Sequence, residues 1–202
     1  MNKFERLQTR LLAVFEQMPD LLEIEVRPEF SVIDIENDRS YIMLNYNNRD
    51  NTCTMMKEGI EVIFHDLAID KLFTIKNAIK TAFIPIDMKN GLIEFGKSRC
   101  DFIIFDNYDF CFVEMKLNAD SEGERAIRKN RKKAAEQLGN TITFLDEKLA
   151  QNYEGLKREA YIATPPFYPR KNASWQAIEL DFMEKKGIYL FETNEKKMRN
   201  EK

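Results

Sequence analysis

Histidine is nearly missing from this chain: there is one, His65, in 202 residues. A catalytic scheme centred on an imidazole has to run through that position, and a surface or internally satisfied loop histidine is the role expected of it. Cysteine is sparse as well. Cys53, Cys100 and Cys111 are too few for a disulfide framework, and their spacing matches no zinc site, which points to a cytoplasmic compartment. No apolar run approaches the roughly 20 residues that a membrane span needs. The opening stretch MNKFERLQTRLLAVFEQM is charged throughout and lacks the apolar centre of a signal peptide. Nor does one sign of charge dominate. Thirty-one basic residues stand against thirty-four acidic ones, for a formal charge of −3 and a pI near 5.5. That balance argues against a protein that coats nucleic acid non-specifically, and makes the placement of charge more informative than its sum. Internal repeats, coiled-coil heptads and low-complexity tracts are absent too.

What is present supports a core. Apolar residues make up 44% of the chain, and fifteen are Phe, enough for one domain over residues 1–202 rather than a disordered chain. The most informative stretch is RCDFIIFDNYDFCFVEMK, residues 99–116. Two apolar runs flank Asp106-Asn107-Tyr108-Asp109, which is turn chemistry. With Asn107 and Tyr108 at the centre of a two-residue loop, Phe105 faces Phe110, Phe102 faces Val113 and Asp101 faces Glu114. Alternation places Glu114 and Lys116 on one face, and directly opposed Cβ atoms lie roughly 5 Å apart. A one-residue slip would send the two acids to opposite faces. Two carboxylates so close repel each other and favour a positive guest. Mg²⁺ prefers oxygen ligands and commonly takes one or two carboxylates with water and phosphate. Lys116 either neutralises the pair or orients and activates an attacking water. The competing reading is a carboxylate pair at a solvated strand end with a lysine beside it.

Asp101 followed by Glu114-Met115-Lys116 resembles the signature of the PD-(D/E)XK nuclease superfamily. The resemblance covers about residues 90–145, with Cys100 where the motif's proline would stand. It implies an α/β fold, a restriction-endonuclease-like mixed sheet flanked by helices. It also implies Mg²⁺ or Mn²⁺ held by Asp101, Glu114 and the backbone carbonyl of Met115, with Lys116 as the catalytic lysine. In RecB-like branches the following helix brings in a glutamine, and Gln137 is the matching position. Glu94 is either a third acidic ligand or the wet face of an edge strand. Lys97 and Arg99 flank the expected mouth of the site, where substrate phosphates would lie.

Along the chain, residues 2–18 read as an amphipathic helix ended by Pro19-Asp20. Strands are expected over 32–35 and 41–44, then a polar loop over 45–51, with residues 21–50 read as an N-terminal elaboration of the core. Ile60 to Phe64 reads as a strand or short helix, and residues 66–80 as a helix. Pro85 confines the strand 81–86 to an edge, or itself to an end. A turn at Asn90-Gly91 leads to a strand over 92–95, the first of a meander completed by the hairpin. These strands belong to a motif-bearing core at 90–165. A helix follows residue 121, with a possible break at Gly139-Asn140. It carries Arg125, Arg128, Lys129, Arg131, Lys132 and Lys133, six cations in nine residues, which form either a phosphate-binding face or a solvated one. After a strand at 161–164, the loop with Tyr168, Arg170 and Lys171 offers a ring for base stacking and cations for phosphate, or else a rigid structural turn. A helix through Trp175 and Phe182, a strand at 188–191 and a frayed tail complete the chain.

The function expected from these residues and that resemblance is metal-dependent hydrolysis of phosphodiester bonds, with DNA favoured. A homodimer or another protein partner is possible. The rivals are an inactive nucleic-acid-binding module of the same fold and a partner-binding subunit.

Overall fold

Asn2 opens the first helix. Its side-chain oxygen accepts from the Glu5 amide at 2.9 Å, and the Asn2 amide donates to Glu5 Oε2 at 3.1 Å, a reciprocal cap. The structure, a computed structural model, describes residues 1–199 apart from 36–37, 58, 66, 89–90, 95 and 171. α1 (Lys3–Val14) buries Phe4, Leu7 and Leu11. It stops short of the expected residue 18, and Pro19 lies in the first turn of α2 (Met18–Leu21) instead of ending a helix. The fixed φ of proline suits a first helical turn, where its missing N–H costs nothing.

The architecture is α/β, with two mixed sheets and helices on one side. The first sheet has the order β1 (Glu23–Glu25), β7 (Thr81–Pro85), β8 (Phe102–Phe105), β9 (Asp109–Met115), β10 (Lys157–Ala163), β11 (Tyr189–Glu192). The second runs β12 (Glu195–Lys197), β6 (Phe73–Lys76), β2 (Glu29–Asp34), β3 (Ser40–Asn47), β4 (Thr52–Lys57), β5 (Ile60–Phe64). β7, β8 and β9 form an antiparallel meander. α3 (Glu124–Lys148) then crosses over to β10, and α4 (Ala173–Lys186) to β11, each parallel to the strand before it.

Both faces of the first sheet are covered, which is why its strands read as near-continuous apolar runs. Phe110 and Phe112 of β9, with Ile103 and Phe105 of β8, pack under α1, α3 and α4. Cys111, Val113 and Met115 face the other way, onto Phe30, Val32, Phe73 and Ile75 of the second sheet. The three cysteines are buried and free. Among the described residues no helix is long and apolar enough to cross a membrane.

Several expectations change. The first meander strand is β7, not residues 92–95: Leu92 and Ile93 are both buried, which breaks the alternation a half-covered strand would show, and Phe95 lies outside the described residues. Asn90 of the expected turn is also outside them, while Gly91 packs so tightly that a Cβ would meet the Ile86 and Met88 carbonyls at 3.1 and 3.2 Å. Pro85 lies within the sheet but beyond the β1 pairing, which covers Thr81 to Phe83, so its missing donor is harmless. Residues 66–80 hold a 3₁₀ turn at Ile69–Lys71 and β6, not a helix. Phe73 and Ile75 alternate into the intersheet core between two partner strands, and pairing overrides the helical stripe. The 45–51 loop is shorter than expected, since β3 continues to Asn47. α3 runs unbroken through Gly139. The tail is not frayed over 195–197, where β12 pairs parallel with β6.

Arg131, in the middle of α3, turns inward. Its Nε and Nη2 donate to Glu192 Oε1 and Oε2, both at 2.8 Å, with side-chain exposures of 0% and 2%. Breaking such a pair leaves one buried charge alone. Arg131→Met is expected to cost about 3–5 kcal/mol of stability, read as a lower urea midpoint. Arg131→Met with Glu192→Leu recovers much of that loss.

Candidate active site

The β8–β9 hairpin has the register that the turn chemistry implies: Phe105 pairs with Phe110 and Phe102 with Val113. Asp106 sets the turn, its Oδ1 accepting from the Tyr108 and Asp109 amides, each at 2.7 Å. The ladder extends one residue further, with the Asp101 amide donating to the Val113 carbonyl at 3.1 Å. Asp101 and Glu114 therefore share the face of Ile103 and Phe112, beneath the helices. Asp101 Oδ2 accepts from the Met115 amide, so Met115 meets that acid through its N–H. Lys116 Nζ donates to Glu114 Oε1, with the carboxyl fully buried and the lysine side chain 20% exposed.

Two further acids stand beside this pair, and neither is Glu94. One is Asp87, just past β7, and the other is Asp34, at the end of β2 in the second sheet. Asp87 is fixed from both sheets. The Ile86 and Asp87 amides donate to the Asp101 carbonyl at 2.7 and 3.2 Å, while Asp87 Oδ2 accepts from the Ser40 amide and hydroxyl at 2.9 and 3.0 Å. Ser40 is in turn the pairing partner of Asp34. A detectable signal existed for Asp34: like Asp101, it is one carboxylate interrupting an apolar strand, Val32-Ile33-Asp34-Ile35.

Burial dominates the electrostatics. It pushes Glu114 up to about 7, with Lys116 opposing the shift and Asp34 and Asp87 adding to it. Asp87 is likewise raised to about 7 by burial and by Asp34. Asp101 is held well above the usual carboxylate range by burial and by Glu114, Asp34 and Asp87. Burial disfavours the Lys116 ammonium, but Glu114, Asp101 and Asp34 outweigh it and raise that pKa.

The fit of this group to a divalent cation turns on unmet oxygens. Glu114 Oε2 and Asp87 Oδ1 are buried and have no hydrogen-bond partner. Among the described residues, no group of three or more His, Cys, Asp or Glu side chains is arranged to hold a metal ion. The arrangement suits a hard cation that takes one or two carboxylates and completes its shell with water and phosphate.

Other expected site residues fall in varied places. Gln137 lies behind the motif, its Nε2 donating to the Arg99 carbonyl at 2.9 Å and its Oε1 buried without a partner. Glu94 is exposed and paired with Lys97 at 2.8 Å. Arg99 is a loop brace: its guanidinium donates to the carbonyls of Asp87, Met88 and Glu94 at 2.9–3.2 Å. Arg125, Arg128, Lys129, Lys132 and Lys133 are exposed, and none of them forms an ion pair among the described residues. Tyr168 is buried, with its hydroxyl accepting from Asn130 at 2.9 Å, so it offers no ring for base stacking. Arg170 binds the carbonyl of Thr164 at 3.2 Å and holds its own loop, and Lys171 lies outside the described residues. Comparison with family models, with curated proteins and with solved structures finds no match to this chain.

Stability without metal follows from the raised acids. The folded chain holds protons on Glu114 and Asp87 up to about pH 7, whereas ordinary values are 4.5 and 3.8. Their contribution is complete below the unfolded values and is lost as pH rises through the folded ones. In EDTA the melting temperature is expected to fall between about pH 5 and pH 8, and Glu114→Gln to flatten that slope. Thermal melts across the pH series check both.

Proposed function

We infer that the chain is a metal-dependent nuclease of restriction-endonuclease-like fold, hydrolysing phosphodiester bonds in nucleic acid, with DNA the favoured substrate. The observation that carries this reading is the pairing of Asp101 and Glu114 on one face beside Lys116, with a buried Glu114 oxygen that nothing satisfies. The run β7–β8–β9, α3, β10 supports it, being the three strands, helix and strand of the superfamily that the motif resembles; α1 precedes that run with α2 and strands β1 to β6 in between.

In this reading Asp101 and Glu114 hold Mg²⁺ or Mn²⁺. When bound, such an ion lowers the pKa of water and stabilises charge on phosphoryl oxygens. Lys116, which pairs with Glu114 in this structure, would position a water with its ammonium and offset charge growing on the phosphate. Ser40 holds Asp87 by its Oδ2, which leaves the unmet Oδ1 able to accept a hydrogen bond from a water. Gln137 acts from behind, fixing the backbone at Arg99 on which Asp101 follows.

A second reading, a nucleic-acid-binding module without turnover, is favoured by the Lys116–Glu114 ion pair, which already occupies the carboxylate. Metal uptake separates the two. Saturating Mn²⁺ is expected to raise the wild-type melting temperature, by about 2.7 kcal/mol of stabilisation at 100 times the dissociation constant, and to leave Glu114→Gln unmoved. Asp101→Ala or Lys116→Ala is expected to lower Mn²⁺-dependent cleavage of labelled DNA by about 100-fold or more, with an unchanged far-ultraviolet circular dichroism spectrum. Cleavage at the wild-type rate in both variants overturns the assignment.

A further inference from the structure

α3 and α4 lie side by side and point the same way. At one end Arg131 Nη1 reaches Asn172 Oδ1 at 3.4 Å, and at the other a Cβ on Gly139 would sit 3.1 Å from Lys186 Cε. Between them runs an open trough of about 630 Å³. From Ser174 to Lys186 it follows α4 for about 18 Å. Its floor is apolar, with Ile178 and Phe182, while Arg128 and Lys132 of α3 and Lys185 and Lys186 of α4 stand on its rim. Two acids oppose these four cations, Glu136 and Asp181, and Asp181 is already paired with Lys185 at 2.8 Å. The Ser174 hydroxyl lines the same trough, closed to solvent and without a hydrogen-bond partner. On the outward face of α3 the basic surface continues through Arg125, Lys129 and Lys133.

We propose that this trough binds a single strand of nucleic acid, with phosphates on the basic rim and bases against the apolar floor. The occupant has to be anionic along its length, because cations stand at both ends of the trough and not at one point. It also has to bring apolar faces, because the floor is Ile178 and Phe182. The apolar floor between the two helices suits unstacked bases, whereas a duplex keeps its bases stacked inside and meets the rim alone. The identification of the polyanion rests on the nuclease reading, and the strandedness rests on the trough.

The test is carried out in EDTA, so that cleavage plays no part. Fluorescence anisotropy follows a labelled oligothymidylate of about 12 nucleotides, within the usual span of one single-strand site, and a duplex of the same length. Wild type is expected to prefer the single strand. Arg128→Ala, Lys132→Ala and Lys185→Ala combined are expected to weaken single-strand binding at least tenfold at low salt. The slope of log affinity against log salt should fall by about 0.7 for each phosphate that the variant no longer neutralises. An affinity and slope equal to wild type overturn the proposal, as does an equal loss for duplex and single strand, which marks a general basic surface. A protein that binds through the trough and never cuts DNA removes the nuclease reading and leaves this one. One that cuts DNA while the triple variant binds as wild type does the reverse.

Discussion

Glu114 sits on the helix-facing side of a central strand, closed to solvent, with a second carboxylate across the hairpin from it. Burying one ionised carboxylate is costly, and burying two side by side is worse unless positive charge or hydrogen bonds answer them. Much of the surrounding structure meets that demand. Lys116 sits two residues on, the spacing that returns a side chain to the same face of a strand. Asp101 takes the Met115 amide, Asp87 is pinned by Ser40, and Arg99 gathers the carbonyls of the 87–94 loop. Thr141 supports the other side of the loop by accepting from the Cys100 amide at 2.8 Å. The two sheets meet at this point, because Asp87 follows directly on β7 of one and Ser40 and Asp34 belong to the other.

Elsewhere buried acids are met by dedicated cations, although Asp109 Oδ1, beside Arg199, also lacks a hydrogen-bond partner. Glu192 receives both nitrogens of the Arg131 fork and the Thr164 hydroxyl. Near the start of β9 and β10, Lys196 of β12 donates to Asp109 at 2.8 Å and to Glu159 at 2.6 Å, and Tyr161 donates to Glu159 as well. Burial would raise Glu159, but the hydrogen bonds from Lys157, Lys196 and Tyr161 outweigh it and bring its pKa down to about 2. Glu114 and Asp87 are pushed the opposite way, to about 7, and each keeps one oxygen unmet. Glu192 and Glu159 have cations of their own, whereas Glu114 and Asp101 share Lys116. That difference supports the cation-holding role inferred above for Asp101 and Glu114.

The hairpin was legible in the sequence because two short-range signals agree: the Asp106–Asp109 turn fixes the register, and alternation then fixes the faces. α3 and α4 were legible from their periodicity. What failed depended on partners far away in the chain. β6 carries a stripe that suits a helix until β2 and β12 pair on either side of it, and the tail looks like a solvated end until Lys196 finds Asp109 and Glu159 across 87 and 37 residues. Asp87 was invisible for the same reason, since its place in the site is set by Ser40, 47 residues away on the other sheet. Tyr168 suits either base stacking or a rigid turn, since its loop mixes aromatics with cations, and only the fold shows that it is buried with Asn130 of α3 meeting its hydroxyl.

The basic run on α3 shows how one helix can hold two kinds of cation in adjacent positions. Arg131 falls four residues after Ile127 and three before Ala134, in the stripe that continues to Leu138, so the 3.6-residue repeat carries it into the core. A planar guanidinium suits that place, because its fork meets both oxygens of one carboxylate. Lys129, Lys132 and Lys133 fall off the stripe and stay in water, where the balance of the whole chain hides them. The acids that bring the net charge to −3 are therefore partly a matter of the interior: Asp109, Glu114, Glu159 and Glu192 are buried or nearly so, and contribute little to the surface that a polyanion meets. Counting formal charge understates how positive the outer face of α3 is, and it is that local field, not the sum, that a phosphate backbone senses at close range.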